Sequence, residues 1–276
     1  HRDLHLSLRR QRQMCIRDSS SVVSEEALLA FRASCVLLVV VTLTWLVMDP
    51  KGAVDHPLYM EERRVMPRTA IGVVRLAAFT QWHFALIGLS FAVSAAASLT
   101  HVSGGEVPDW MLIASPALFA TSYSCAILVT FVISYHIIGN ELRKGHDIVH
   151  LFSWYELVMH NGNVAILGLA LLISGMEVDW RYLAFPIVFG VVYVAWAAVF
   201  ANFIGGVFIY DFIDYRRSGA PIIYVTLLAL LTIFFFVVWS LDQITDSNWF
   251  FGAFSVAGVT WATMTLREPT GAKAPE

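Results

Sequence analysis

The sequence predicts an all-α protein, a polytopic transmembrane helix bundle of six to seven spans. Three observations predict it. Of 276 residues, 58% are hydrophobic and 14% charged, where soluble domains carry about 45–50% and about 25%. Mean hydropathy is +0.67. The apolar residues gather into runs of about 20, the length that crosses roughly 30 Å of hydrocarbon. This composition excludes a water-soluble enzyme and a disordered chain. A net charge of −3 with no basic face also argues against a nucleic-acid partner.

The chain begins with a segment that does not belong to the bundle. Met14-Cys15-Ile16-Arg17-Asp18-Ser19 looks like a translated sequencing adaptor, so residues 1–19 are expected to be a non-native tail. A single helical domain over 20–268 and a short polar tail over 269–276 are expected to follow. The candidate spans are 27–48, 71–99, 111–135, 151–175, 184–209 and 221–241, with a shorter one at 249–266. Turn and charge signals punctuate them: Asp49-Pro50-Lys51-Gly52, Gly104-Gly105, Gly139-Asn140 to Gly145, and Arg216-Arg217-Ser218-Gly219. Neither a short repeat nor an inverted pair of interrupted helices is visible. Cys35 and Cys125 sit in apolar runs, so no disulfide framework is implied.

Loop charges predict the orientation of this multi-pass chain. Lys51, Arg63, Arg64 and Arg68 lie in the first loop, Arg143 and Lys144 in the third, Arg216 and Arg217 in the fifth. Arg267 and Lys273 follow the last span, while the even loops hold only Arg181. Odd loops and the C-terminus are therefore expected to be cytoplasmic. Trp110, Trp180 and Trp249 are expected to anchor interfaces, Arg75 to snorkel out of span two, and Gly205-Gly206 to let helices approach closely.

Polar groups inside such spans are costly and mark function or a packed interior. Span two reads Phe79-Thr80-Gln81-Trp82-His83, span four carries Ser153, Glu156, His160 and Asn163, and span five carries Asn202 and Tyr210-Asp211. On an unbroken helix the span-four residues share one face. Glu156 then lies one turn before His160, where its carboxylate can accept a ring N–H and fix the tautomer a general base needs. Counted from the span ends, Thr80 and His160 each lie about 13 Å deep at about 1.5 Å per residue. Asn202 falls near the same level on span five, and a single polar cavity would serve all three. The plainer alternatives are ordinary in membrane helices. Thr bonds its own i−4 carbonyl, Asn and Gln tie helices together, and a lone buried His is a core residue.

Several segments, in order, resemble the androgen-induced family of multi-span membrane proteins, which includes lipid hydrolases and rolling stone-like proteins. Phe79-Thr80-Gln81-Trp82 is similar to the family's Phe-Thr-x-Trp entry to its second span. Met159-His160-Asn161-Gly162-Asn163-Val164 is similar to its His-centred segment. Tyr193 through Gly206, with Ile209-Tyr210-Asp211-Phe212-Ile213-Asp214, resembles its Trp–Gly–Tyr-Pro-x-Leu-acidic stretch, with Asp211 standing where the family often has Pro. In the hydrolase branch, the resemblance implies Thr80 as nucleophile and His160 as base, acting on fatty acid esters of hydroxy fatty acids. Glu156 would orient His160, while Asn163, Gln81 or Asn202 would supply oxyanion donors. His83, one turn beyond Thr80, is a second nearby imidazole. Membrane lipids are the expected substrate or ligand.

His146 and His150 have an i,i+4 metal spacing that His136 and His160 would extend, but the dense histidine boxes of lipid hydroxylases are missing, so neither metal nor cofactor is expected. Retinal chemistry needs a lysine inside a span, and Lys51, Lys144 and Lys273 all lie outside them. A non-catalytic lipid-binding or fusion-associated scaffold of the rolling stone type is the remaining alternative.

Overall fold

The computed structural model describes residues 22–146 and 148–264. The adaptor-like segment, the polar tail, Arg267 and Lys273 lie outside the described residues. Within them, six helices are long and apolar enough to cross a membrane: α1 (Glu25–Met48), α2 (Phe79–Val102), α3 (Asp109–Arg143), α4 (Trp154–Ile173), α5 (Trp180–Ile204) and α6 (Ala220–Ser247). A shorter α7, Trp249–Thr263, follows after a break at Asn248. The Ser24 side chain starts α1 by accepting the Ala27 N–H at 3.3 Å, and Asn248 likewise accepts the Phe251 N–H at 3.2 Å to start α7.

The helix α3 is the centre of the bundle: 72% of its apolar window is buried, against 17% for α6 and 22% for α5. Its core side chains Phe119, Tyr123 and Ile127 are nearly inaccessible and pack with Phe84, Met159, Leu167 and Phe235 from the surrounding helices. The outside of the bundle is apolar as well, with Phe203, Phe254 and Trp261 largely exposed. Two glycines let helices touch. A Cβ on Gly88 would stand 2.8 Å from Val39 of α1, and one on Gly168 would stand 2.7 Å from Val256 of α7. The helix α7 is tied to the bundle at both of its ends, where Trp249 Nε1 donates to Leu172 O (3.0 Å) and Ser134 Oγ donates to Thr263 O (2.8 Å).

The first, third and fifth loops meet at one end of the bundle. There β1 (Ala53–Asp55) pairs antiparallel with β3 (Arg68–Ala70), and β2 (Leu58–Tyr59) pairs with β4 (Val207–Phe208) from the chain after α5. This cap moves two expected boundaries. Span two does not begin at 71: pairing of 68–70, then a 3-10 turn over Gly72–Ala77 opened by Gly72 at φ 69, delay the helix to Phe79. Span five ends at Ile204, because Gly206 (φ 66) turns the chain into β4, so Gly205-Gly206 end a helix instead of packing two together. Arg75 does not snorkel outward. It is buried and donates to Leu46 O (2.7 Å) and the Tyr155 hydroxyl (3.2 Å), with Asp49 at 3.6 Å.

Three helices contain a π turn: Ile133–Ile137 in α3, Val158–Gly162 in α4 and Phe200–Ile204 in α5. Such single-turn bulges widen the helix by one residue and re-aim the side chains beyond them.

Candidate active site

Thr80 is the second residue of α2. Its depth therefore differs from the expected nine residues: it stands in the first helical turn, at the capped end of the bundle. Ala78, extended at φ −78 and ψ 155, gives that turn no side-chain cap. The first N–H groups of the helix are thus free to serve another acceptor, and the positive end of the helix dipole lies there.

His160 sits in the π turn of α4, and its Nε2 lies 3.3 Å from Thr80 Oγ1 across the bundle. Both residues are 5% exposed. Thr130 Oγ1 of α3 donates to the His160 carbonyl within the π turn at 2.5 Å. Glu156 Oε2 is 3.5 Å from His160 Nδ1, an ion-pair distance longer than a hydrogen bond. That Nδ1 consequently has no hydrogen-bond partner. Glu156 therefore neighbours the imidazole as expected, without the short contact that the helical spacing implied.

The bulge also divides the polar stripe of span four. Asn163 Oδ1 turns to α3, accepting from Thr130 Oγ1 (3.1 Å) and from the Val164 N–H (2.6 Å), and its buried Nδ2 is unpartnered. His83 is fully buried and its Nε2 lies 3.2 Å from Ser122 O, a tie between α2 and α3. The imidazole at Thr80 is therefore that of His160. Gln81 reaches the pocket wall beside Thr80. Asn202 is not brought to the site: it is exposed, donates to Ala198 O at 2.7 Å and accepts from Tyr215 at 3.1 Å. Asn202 lies within the π turn that ends α5.

Sequence reasoning assigned no role at the centre to Tyr210, yet the Gly206 turn and the β4–β2 pairing fold it back under the bundle. The Tyr210 hydroxyl interacts with the Thr80 side chain and with the backbone of Phe79 and Thr80. Burial pushes the Tyr210 phenol above its ordinary range, while those bonds to Thr80 pull the other way. The sequence signals were its place beside Asp211 at the end of an apolar run and in the segment that resembles the family's Tyr-Pro-x-Leu-acidic stretch.

Two cavities meet at Thr80. One, of about 260 Å³, is almost wholly apolar, lined by Leu128 and Val132 of α3, Gly190 and Val194 of α5 and Leu227 and Leu231 of α6. The other, of about 200 Å³, is polar and runs from Thr80, Gln81 and His160 past Arg75 and Glu156 to His56, Asn140 and Lys144 in the loops. Thr80 and Tyr210 line both. The arrangement places a hydroxyl, an imidazole and the uncapped start of a helix where an apolar cavity joins one with polar groups on its wall. No known family model, curated protein or solved structure matches the chain.

Proposed function

We propose that the chain is a multi-pass integral membrane protein and a threonine/histidine hydrolase of long-chain fatty acid esters. The observation that carries this reading is the 3.3 Å approach of His160 Nε2 to Thr80 Oγ1 at the junction of the two cavities. The likeness of these segments to the androgen-induced family points the same way.

In this reading the acyl chain lies in the apolar cavity and the ester carbonyl meets Thr80. His160 takes the hydroxyl proton as Thr80 Oγ1 attacks the carbonyl carbon, then gives it to the departing alcohol oxygen. An acyl-threonine remains. Water from the polar cavity gives its proton to His160 and attacks the acyl carbon, which frees the fatty acid and returns the proton to Thr80. The oxyanion formed in each half-reaction is met by the backbone N–H groups at the uncapped start of α2, with the Tyr210 hydroxyl beside Thr80 as a further donor. Glu156 draws in towards Nδ1 as the ring becomes charged, since catalytic hydrogen bonds often tighten only with substrate bound.

Ester turnover by the purified protein in detergent tests the reading. Wild type hydrolyses a long-chain ester, while Thr80→Ala and His160→Ala each lose at least about a hundredfold, within the range such groups contribute. Full rates in both variants would overturn the assignment. Saturable lipid binding with no turnover in wild type would support the rolling stone-type scaffold instead.

A further inference from the structure

A second group of side chains lies at the outer end of the polar cavity and takes no part in the hydrolysis. His56 follows β1 in the first loop, Glu141 is in the last turns of α3, and His146 comes just after that helix. Glu141 Oε2 is 2.6 Å from His146 Nδ1 and 3.7 Å from His56 Nδ1. The nearest ligand atoms of all three lie within 4.8 Å of one another, and the side chains are only 18–25% exposed.

The backbone under each member is fixed. Arg68 grips Asp55, the residue before His56, with Nε at 3.1 Å and Nη2 at 2.6 Å. On the other side, Gly145 at φ 74 turns the chain back at the end of α3, so that the His146 N–H donates to Glu141 O at 3.0 Å. The second carboxylate oxygen, Oε1, faces Lys144 Nζ at 3.4 Å, which leaves Oε2 to the two imidazoles. Outer partners of this kind orient a ligating carboxylate.

We propose that His56, Glu141 and His146 bind one divalent transition-metal ion of the zinc class, clipping the first loop to the end of α3. Two imidazoles and a carboxylate are the donor set of three-ligand zinc sites, which keep one position open. Metal–ligand bonds of about 2.0–2.2 Å put the donors of a tetrahedron about 3.4 Å apart. The contacts of 2.6 and 3.7 Å lie on either side of that value. Imidazole donors disfavour calcium and magnesium. The two rings are stacked, 3.7 Å apart and 9° from parallel. A metal lies in the plane of each ligating ring, so binding swings them out of the stack, a motion that partly exposed side chains permit. This site stands apart from the hydrolase reading. It also pairs His146 with different partners from the His150 that helical spacing suggested.

The test uses full-length protein in detergent, free of any affinity tag and stripped with a chelator. Zn²⁺ alone is titrated by calorimetry, and Co²⁺ alone by visible absorption. The expected result is one equivalent bound, with the intense bands of a low-coordinate cobalt site. Binding falls at least tenfold in His56→Ala and in His146→Ala but holds in His150→Ala, circular dichroism confirming that each variant is folded. Absence of one-equivalent binding in wild type, undiminished binding in the His56→Ala/His146→Ala double variant, or loss in His150→Ala would overturn the proposal. Ester turnover of the stripped protein separates the two ideas, because the hydrolase reading requires activity from Thr80 and His160 whether or not zinc binds.

Discussion

His160 Nε2 stands 3.3 Å from the Thr80 hydroxyl although eighty residues separate the two in the chain. The contact depends on two irregularities, the delayed start of α2 and the π turn of α4. Neither residue is held by the helix it belongs to in the ordinary way, and that is what lets them meet.

Tyr210 provides the first prediction. If its hydroxyl stabilises the oxyanion, Tyr210→Phe lowers kcat by at least about tenfold, roughly 1.4 kcal/mol, and leaves KM within about twofold. Steady-state kinetics on a long-chain ester check this. A change in KM alone would make Tyr210 a wall of the cavity and nothing more.

The apolar cavity predicts chain-length selectivity. A Cβ on Gly190 would meet Leu231 and Leu228 at 3.4 and 3.5 Å, so a larger side chain there projects into the space between α5 and α6. Gly190→Leu is expected to cut kcat/KM for long acyl chains at least about tenfold and to spare short ones, since about 0.8 kcal/mol accompanies each buried methylene. A series of esters of increasing length measures the shift.

Asn163 is predicted to be structural. Its carbonyl oxygen accepts the Val164 N–H at 2.6 Å and lies 3.1 Å from the Thr130 hydroxyl, so Asn163→Ala takes a partner from a buried N–H and costs about 1–3 kcal/mol. Thermal unfolding in detergent is expected to show a lowered midpoint, with turnover per folded molecule unchanged. A normal midpoint with lost turnover would return Asn163 to the oxyanion.

Asp214 predicts an acid limb of stability. It is 4% exposed, and burial opposes its ionisation. The Arg216 guanidinium, with Nε at 2.8 Å and Nη2 at 2.9 Å, nevertheless holds its carboxyl below the usual range. A carboxyl lowered in the folded state contributes stability that is fully present above the ordinary value of about 3.9 and is lost as pH falls through the folded value. Arg216 also donates to Met60 O at 3.0 Å and so ties the fifth loop to the first. Unfolding followed from pH 7 to pH 3 should show this limb in wild type and a shallower one in Asp214→Asn.

Much of the bundle is legible in the sequence because apolar run length alone decides which segments have the length and hydropathy to cross a membrane. That polar residues on spans two and four would meet was legible for the same reason, whereas which of His83 and His160 stands nearer Thr80 was left open by the sequence and is given by the 3.3 Å contact of His160. The depth of Thr80 was not, because nothing local in 71–78 distinguishes an apolar helix from an apolar 3-10 turn. The distinction comes from strand pairing with 53–55, a non-local event. Tyr210 reached the site because a single positive-φ glycine, Gly206, and the β4–β2 pairing redirect the chain before it, while Asn202 stays exposed in the π turn that ends α5. The π turn that splits Glu156 from Asn163 is likewise silent in a pattern of threes and fours.

Covalent labelling tests the central pairing most directly. A long-chain fluorophosphonate is incubated with the purified protein and the adduct located by peptide mass spectrometry. The account predicts one adduct, on the Thr80 side chain, which His160→Ala abolishes. Modification of a different residue, or labelling of Thr80 that persists undiminished without the imidazole, would contradict it.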